Sequence, residues 1–376
     1  MTSEVRFRFI TLLRKPKNPM TDKTRRYFLF SSLIASSMPK GLRAAQAKKP
    51  APWMPKLSEN LADVNPSTLR WLKQLGCRHV IFQGTDRVDT GNKGYWTAGD
   101  VLPAKKNCDE AGLVLESMMI PIDFYRKARL GQAGRDEEIE NVCRTIKAVG
   151  EAGVPMMEWR FWPDFYWDDR VGYYESQGRG EAVLRAYDYG RVKDAKPFPE
   201  IGVVDEAEMW KRFLYFAKPI VEAAEKANVR LSMHPNDPPV SNMRGVARIF
   251  RHTGDLRRFL KEIPSRASGI TFCQGTITEM GVDVLQEIRY FGKLNKIFLV
   301  HFRAVRGTVP KYTEVFIDEG DIDMVQAMKT YKEAGYTGPF VSDHTPKVEG
   351  DTPWGHIGRT FSLGYMRALV QAVNAM

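Results

Sequence analysis

Cysteine is scarce in this chain of 376 residues: Cys77, Cys108, Cys143 and Cys273, with no CxxC pair among them. That excludes a disulfide-stapled scaffold and a zinc ribbon. No apolar run reaches the roughly 18–20 residues that cross a bilayer, so no membrane span is expected once a leader is removed. No GxGxxG follows the first strand-like run, which gives a dinucleotide-binding sheet little support. Solenoid repeats and low-complexity tracts are missing as well. Charge of one sign is also scarcer than it looks. The net charge is +11, but residues 1–47 hold ten Lys/Arg against Glu4 and Asp22, or +8. The remainder, with 46 basic and 43 acidic residues, carries only +3. A body so nearly neutral argues against a partner made of nucleic acid.

The basic segment contains Thr24-Arg25-Arg26-Tyr27-Phe28-Leu29, a short apolar stretch to Met38 and then Ala45-Gln46-Ala47. It resembles a twin-arginine export signal with its cleavage site. The expectation is a leader over residues 1–47, export to the periplasm or beyond, and one catalytic domain over 48–376.

In that domain helical and strand-like patterns alternate. Helices are expected over Pro66–Leu75, Ala98–Ala111, Arg135–Ala152, Asp205–Ala227, Asp255–Glu262, Val282–Phe291, Ile322–Ala334 and Gly358–Ala375. Asp205 and Glu208 are spaced as a capping box, and Pro219 should kink its helix. Between the helices fall strands at Arg78–Phe82, Leu113–Ile120, Val154–Trp159, Val229–Met233, Gly269–Cys273, Lys296–His301 and Pro339–Asp343, with a weaker eighth near Met54–Leu61. The strands are mostly continuous apolar runs, which suit a parallel sheet buried on both faces. The expected fold is α/β, a (β/α)8 TIM barrel, with a doubly wound sheet as the alternative. An aromatic insertion, RFWPDFYWDDRVGYY, follows the Trp159 strand and is suited to covering the barrel mouth and stacking on a sugar ring.

Four metal-binding side chains end four successive strands: His234 after RLSM, Cys273 after GITF, His301 after KIFLV and Asp343 after PFVS. In a barrel the carboxyl ends of all strands face one mouth, so these residues converge. Two imidazoles, a thiolate and a carboxylate form a sufficient shell for Mn2+, Fe2+, Zn2+ or Co2+, whereas the thiolate argues against Mg2+ and Ca2+. If substrate oxygens complete the shell, Mn2+ or Fe2+ is favoured over tetrahedral Zn2+. Arg303, two residues beyond His301, is suited to gripping a carboxylate with two parallel hydrogen bonds. His344 follows Asp343 and is better cast as a proton carrier than as a second ligand. Asp237, in the stiff HPNDPP loop, is expected to orient a ligand or touch substrate, against the plainer reading of turn chemistry. His356 lies in a Gly-rich stretch near the expected mouth. His79 and His252 read as structural.

The segments MHPNDPP, GITFCQG, VHFR and SDH, with Glu116-Ser117 and Gly134-Arg135-Asp136 through Asn141, resemble the mannonate dehydratase family of xylose-isomerase-like barrels. The likeness runs from about Pro66 to the end. It implies dehydration of D-mannonate to 2-keto-3-deoxygluconate with Mn2+ or a similar ion. It also implies His234, Cys273, His301 and Asp343 as metal ligands, and Arg303 and His344 at the substrate-carboxylate and acid/base positions. Three positions depart from the family pattern. Asn236 stands for an Asp, Pro121 falls where a His is carried, and Trp354 aligns with a Tyr; His356 is a candidate to compensate.

The partner expected is a small sugar or sugar acid, and assembly into a homo-oligomer is compatible with the sequence. Two other readings are retained: a divalent-metal sugar isomerase, epimerase or eliminase, and a non-catalytic exported sugar-binding barrel.

Overall fold

Ser-Gly-Ile-Thr-Phe-Cys, residues Ser268–Cys273, is buried at every position. Such a strand needs cover on both faces, and in the computed structural model it has it. The structure describes residues 51–88, 90–91, 93–162 and 168–376. The expected leader, and residues 163–167 of the aromatic insertion, lie outside the described residues. Eight parallel strands close into a barrel in sequential order. They are β1 (Lys56–Leu61), β2 (His79–Phe82), β3 (Val114–Met119), β4 (Met156–Arg160), β5 (Arg230–His234), β6 (Ser268–Cys273), β7 (Ile297–His301) and β8 (Pro339–Val341). β1 closes the ring, pairing Ser58 with His79 on one side and Lys56 with Pro339 on the other. The doubly wound alternative is thereby excluded.

A principal helix follows each strand: α1 (Pro66–Gln74), α2 (Ala98–Glu110), α3 (Arg135–Glu151), α4 (Glu206–Ala227), α5 (Thr253–Glu262), α6 (Val284–Lys293), α7 (Met324–Glu333) and α8 (His356–Ala375). Local chemistry sets their starts. Asn65 Oδ1 accepts from the Ser67 and Thr68 amides at 2.9 and 3.0 Å, with Pro66 at the first helical position. Asp205 accepts from the Glu208 amide at 2.8 Å, but the Glu208 carboxylate turns to Arg212 Nε at 2.9 Å, so this cap is one-sided rather than a box. His252 and Asp255 form the reciprocal box on α5, where the His252 ring accepts from the Gly254 amide at 3.1 Å. α4 runs through Pro219 as one element.

The apolar faces of the helices pack on the outside of the barrel. Trp159 stacks on Phe213 with centroids 5.7 Å apart, and Phe213 meets Phe250 at 4.7 Å. Each aromatic buried this way contributes about 1.5–3 kcal/mol relative to exposure. Inside the barrel, Ile81, Met156, Phe298, Leu299 and Val341 fill the middle. Below them Glu116 accepts from Lys56 Nζ and the His79 ring, each at 2.8 Å.

The sequence patterns did not show a second sheet. Tyr173–Gln177 and Val183–Asp188, inserted after β4, pair with Lys311–Val315 and Ala304–Thr308, inserted after β7. This four-stranded antiparallel cap has a small core that includes Tyr173, Tyr187 and Tyr312. Among the described residues no helix is long and apolar enough to cross a membrane.

Candidate active site

His234, Cys273 and His301 are the last residues of β5, β6 and β7, and Asp343 lies two residues past β8. Parallel closure brings these ends together: one donor atom from each lies within 4.8 Å of the others. All four residues are buried. Asp343 has φ 60°, a left-handed backbone that Asp tolerates better than most residues and that aims its carboxylate at the cluster.

Hydrogen bonds set the donors. His234 Nδ1 donates to the Pro235 carbonyl at 2.7 Å, which leaves Nε2 as the electron-pair donor. Neither ring nitrogen of His301 makes a hydrogen bond, although the residue is wholly buried. Its Nδ1 is 3.3 Å from Asp343 Oδ2, and its Nε2 is 3.7 Å from Glu158 Oε1. Cys273 Sγ accepts from Thr276 Oγ1 at 3.1 Å and stands 3.9 Å from Asp343 Oδ2.

Burial, then Arg160 and His301, hold His234 well below the usual imidazole value, so it is neutral. Burial raises the Asp343 carboxyl, but His301, His344 and Arg303 outweigh it and keep the group ionised. Burial also opposes a charge on His301, yet Asp343 and Glu158 push it up to about 10. A soft sulfur, two imidazoles and a carboxylate, with both His301 ring nitrogens buried and making no hydrogen bond, fit a divalent transition ion. By contrast, burial pushes the Cys77 and Cys108 thiols up to about 12, as suits inert core residues.

Above the cluster lies a cavity of about 650 Å³ whose lining includes Gln83, Tyr174, Arg185, His344, Trp354 and Arg359. His344 Nδ1 faces Glu314 of the cap sheet at 3.0 and 3.1 Å. Asp237, Glu314 and His344 also group closely. Two guanidinium groups already stand among them: Arg303 Nη2 is 2.7 Å from Asp237, and Arg185 Nε is 3.8 Å from Glu314. This second group is an ion-pair network.

The family follows from the chain's similarity to known proteins. The profile of the D-mannonate dehydratase (UxuA) family matches residues 61–199 and 190–376. The chain belongs to the D-mannonate dehydratase family. Mannonate dehydratase 2 of Halalkalibacterium halodurans is 28% identical over 336 residues, covering 82% of this chain and 96% of that protein. The crystal structure of mannonate dehydratase from Streptococcus suis serotype 2 matches with a TM-score of 0.76 at 27% identity, covering 85% of this chain and 94% of that one. A xylose isomerase domain protein from Planctomyces limnophilus, at 11% identity and a TM-score of 0.55 over 87% of this chain and all of that one, shares the fold.

Within this D-mannonate dehydratase family member, several residues differ in placement from the sequence expectations. Arg303 does not face the cavity. Its side chain is 1% exposed and donates to Asp343 Oδ2 at 3.1 Å, Glu279 Oε1 at 2.9 Å and Asp237 Oδ2 at 2.7 Å. In this structure the guanidinium is spread over these three carboxylates, one of them on the candidate ligand Asp343. Asp237 likewise looks inward, accepting from Tyr173 and Tyr312 hydroxyls at 2.8 and 3.0 Å as well as from Arg303. His356 is not brought to the mouth. It opens α8, packs edge-on to Trp71 at 4.7 Å and bonds Thr352.

The departures from the family pattern also have local explanations. Asn236 accepts from the Phe250 amide at 3.0 Å, using the acceptor that an Asp would offer. Pro121 precedes the short helical turn Ile122–Tyr125. Trp354 lines the cavity and donates its indole N–H to the Asn60 carbonyl at 2.8 Å.

Sequence reasoning missed Glu158, Glu279 and Glu314. Glu158 had a signal, a carboxylate inside the apolar strand MMEWR. Glu314 had only the alternation of KYTEV, on a hairpin no other pattern announced.

Proposed function

We propose that this chain is a metal-dependent hydro-lyase that converts D-mannonate to 2-keto-3-deoxygluconate and water. The observation that carries the reading is the convergence of His234, Cys273, His301 and Asp343 beneath a polar cavity, in a chain of this family. The four residues would hold Mn2+ or Fe2+, with Zn2+ or Co2+ as alternatives. When bound, such an ion acts as a Lewis acid on the charge that develops next to a carboxylate.

The chain's own groups do the rest. His344, on the cavity wall, would carry the proton taken from C2 or given to the departing C3 hydroxyl. Glu314 on Nδ1 makes Nε2 the nitrogen that exchanges it. Loss of the C2 proton and the C3 hydroxide leaves an enol, which tautomerises to the 2-keto acid. Arg185 and Arg359 place positive charge on the cavity wall, where an anionic substrate is held. Tyr174 and Trp354 offer aromatic faces to the carbon chain. The twin-arginine-like leader supports export of the folded, loaded enzyme. Cell fractionation of the full chain, beside a variant with Arg25 and Arg26 changed to Lys, tests that point.

The decisive experiment incubates Mn2+-loaded protein with D-mannonate and follows the mixture by NMR. The expected result is a methylene signal beside a new ketone. Recovery of an epimer or a ketose in place of the 2-keto-3-deoxy acid overturns the dehydratase reading in favour of isomerase chemistry. Binding without turnover across sugar acids, aldoses and ketoses favours a sugar-binding barrel.

A further inference from the structure

The metal-binding residues occupy β5 to β8, one half of the barrel mouth. The other half, β1 to β4, carries Asn60 on β1, Gln83 just past β2 and Glu158 on β4, and nothing in the proposed chemistry uses them. Along β1 side chains alternate. Lys56 reaches Glu116 within the barrel floor, whereas Leu61 packs in the outer core. Asn60 therefore shares the inward face with Lys56 and Ser58 and is the residue before the last of β1. It is 1% exposed, and neither its amide nitrogen nor its amide oxygen has a partner.

On β4, Glu158 is fully buried. Its Oε2 accepts from Gln83 Nε2 at 3.0 Å, while Oε1 makes no hydrogen bond and lies 3.7 Å from both Arg160 Nη2 and His301 Nε2. Gln83, just past β2, lines the cavity and joins this wall to it. A buried amide left without partners costs the fold on the order of 1–3 kcal/mol. Folds retain such groups where a ligand satisfies them.

We infer that Asn60, Gln83 and Glu158 form the wall that binds the distal hydroxyl groups of a polyhydroxy acid, the part of the substrate beyond the reacting carbons. Hydroxyls both donate and accept. Asn60 offers one group of each kind, and Glu158 Oε1 accepts from an O–H. The assignment rests on the sugar-acid reading and deepens it, naming an open-chain substrate that carries hydroxyls past C3.

The test uses the full chain loaded with Mn2+, a six-carbon aldonate (D-mannonate) and the three-carbon acid glycerate, which keeps C1 to C3 but lacks every hydroxyl beyond them. Wild-type kcat/KM should fall about 10–100-fold on shortening the acid, the range for losing hydrogen bonds in a buried site. Asn60→Leu and Gln83→Leu should lower kcat/KM on the six-carbon acid by a similar factor. On the short acid they should lower it little further, because the partner hydroxyls are already gone. Equal losses on both acids overturn the assignment. Metal-free Asn60→Leu should melt at or above wild type, since an unpartnered polar group has been removed; a clearly lower melting point would make Asn60 structural and also overturn it. Wild-type protein that binds Mn2+ yet turns over neither acid overturns the sugar-acid reading itself, and this assignment with it.

Discussion

His344 and Glu314 meet across two separate parts of the fold. His344 follows the last barrel strand, Glu314 belongs to the cap sheet, and His344 Nδ1 lies 3.0 Å from Glu314 Oε1. In the proposed mechanism the carboxylate holds a proton on Nδ1 and leaves Nε2 to exchange the other. Glu314→Gln keeps the shape and one acceptor but loses the charge. It should lower kcat about 10–100-fold, in the range seen when a group that orients a working His is removed. KM and Mn2+ affinity should change little. His344→Ala should cost more, about 10²–10⁴-fold. Steady-state kinetics separating kcat from KM check both, and a Glu314→Gln enzyme with unchanged kcat would remove Glu314 from the mechanism.

Cys273→Ser replaces a soft ligand with a hard neutral one of similar size. Titration calorimetry of the metal-free protein should show Mn2+ or Fe2+ binding weakened by more than about 100-fold, since even outer partners of a ligand are worth 10–100-fold. The wild-type protein should gain about 2.7 kcal/mol of stability at a metal concentration 100 times Kd, a gain the variant lacks. Chelation should abolish turnover reversibly. Unchanged affinity in Cys273→Ser would exclude the thiolate from the shell.

Metal binding should release a proton from His301. Asp343 and Glu158 outweigh burial and push this imidazole up from an ordinary 6.5 to about 10. In the metal-free fold the extra proton stabilises fully below pH 6.5, and the contribution disappears as pH rises through about 10. A cation must displace that proton, so apparent affinity should rise by about tenfold per pH unit for one linked proton and level off above pH 10. Calorimetry in buffers of different ionisation enthalpy counts the protons released. A pH-independent affinity with no proton release would contradict the arrangement.

Arg303 should reveal itself through stability. It bonds the buried carboxylates of Asp343, Glu279 and Asp237, so Arg303→Ala leaves charges uncompensated and should cost about 3–5 kcal/mol in denaturant melts. Gly275 gives an independent approach. A Cβ there would clash with Arg303 Nη1, so Gly275→Ala should displace the guanidinium and reproduce part of the loss. If both variants melt like wild type while KM for D-mannonate rises sharply, Arg303 binds substrate after all.

The alternation of helix and strand was legible because each barrel element carries its own periodic signal. The strands buried on both faces, such as Ile297–His301, are continuous apolar runs. Ends were read less well. Pro339–Val341 stops two residues before Asp343, whose left-handed backbone cannot continue a strand. Placement at strand ends announced His234, Cys273 and His301, because a parallel barrel turns that position into convergence.

What the sequence determined by itself was the class of fold, the order of its elements and the residues that could meet at the mouth, since all three follow from local periodicity and one topological rule. The tertiary structure decided which way the side chains point once there. Arg303 turned from the cavity to three carboxylates, and His356 was left outside the mouth. A cap sheet of distant hairpins delivered Glu314 to His344. These outcomes depend on contacts between segments far apart in the chain, where charge balance and burial choose the partner and no local pattern records the choice.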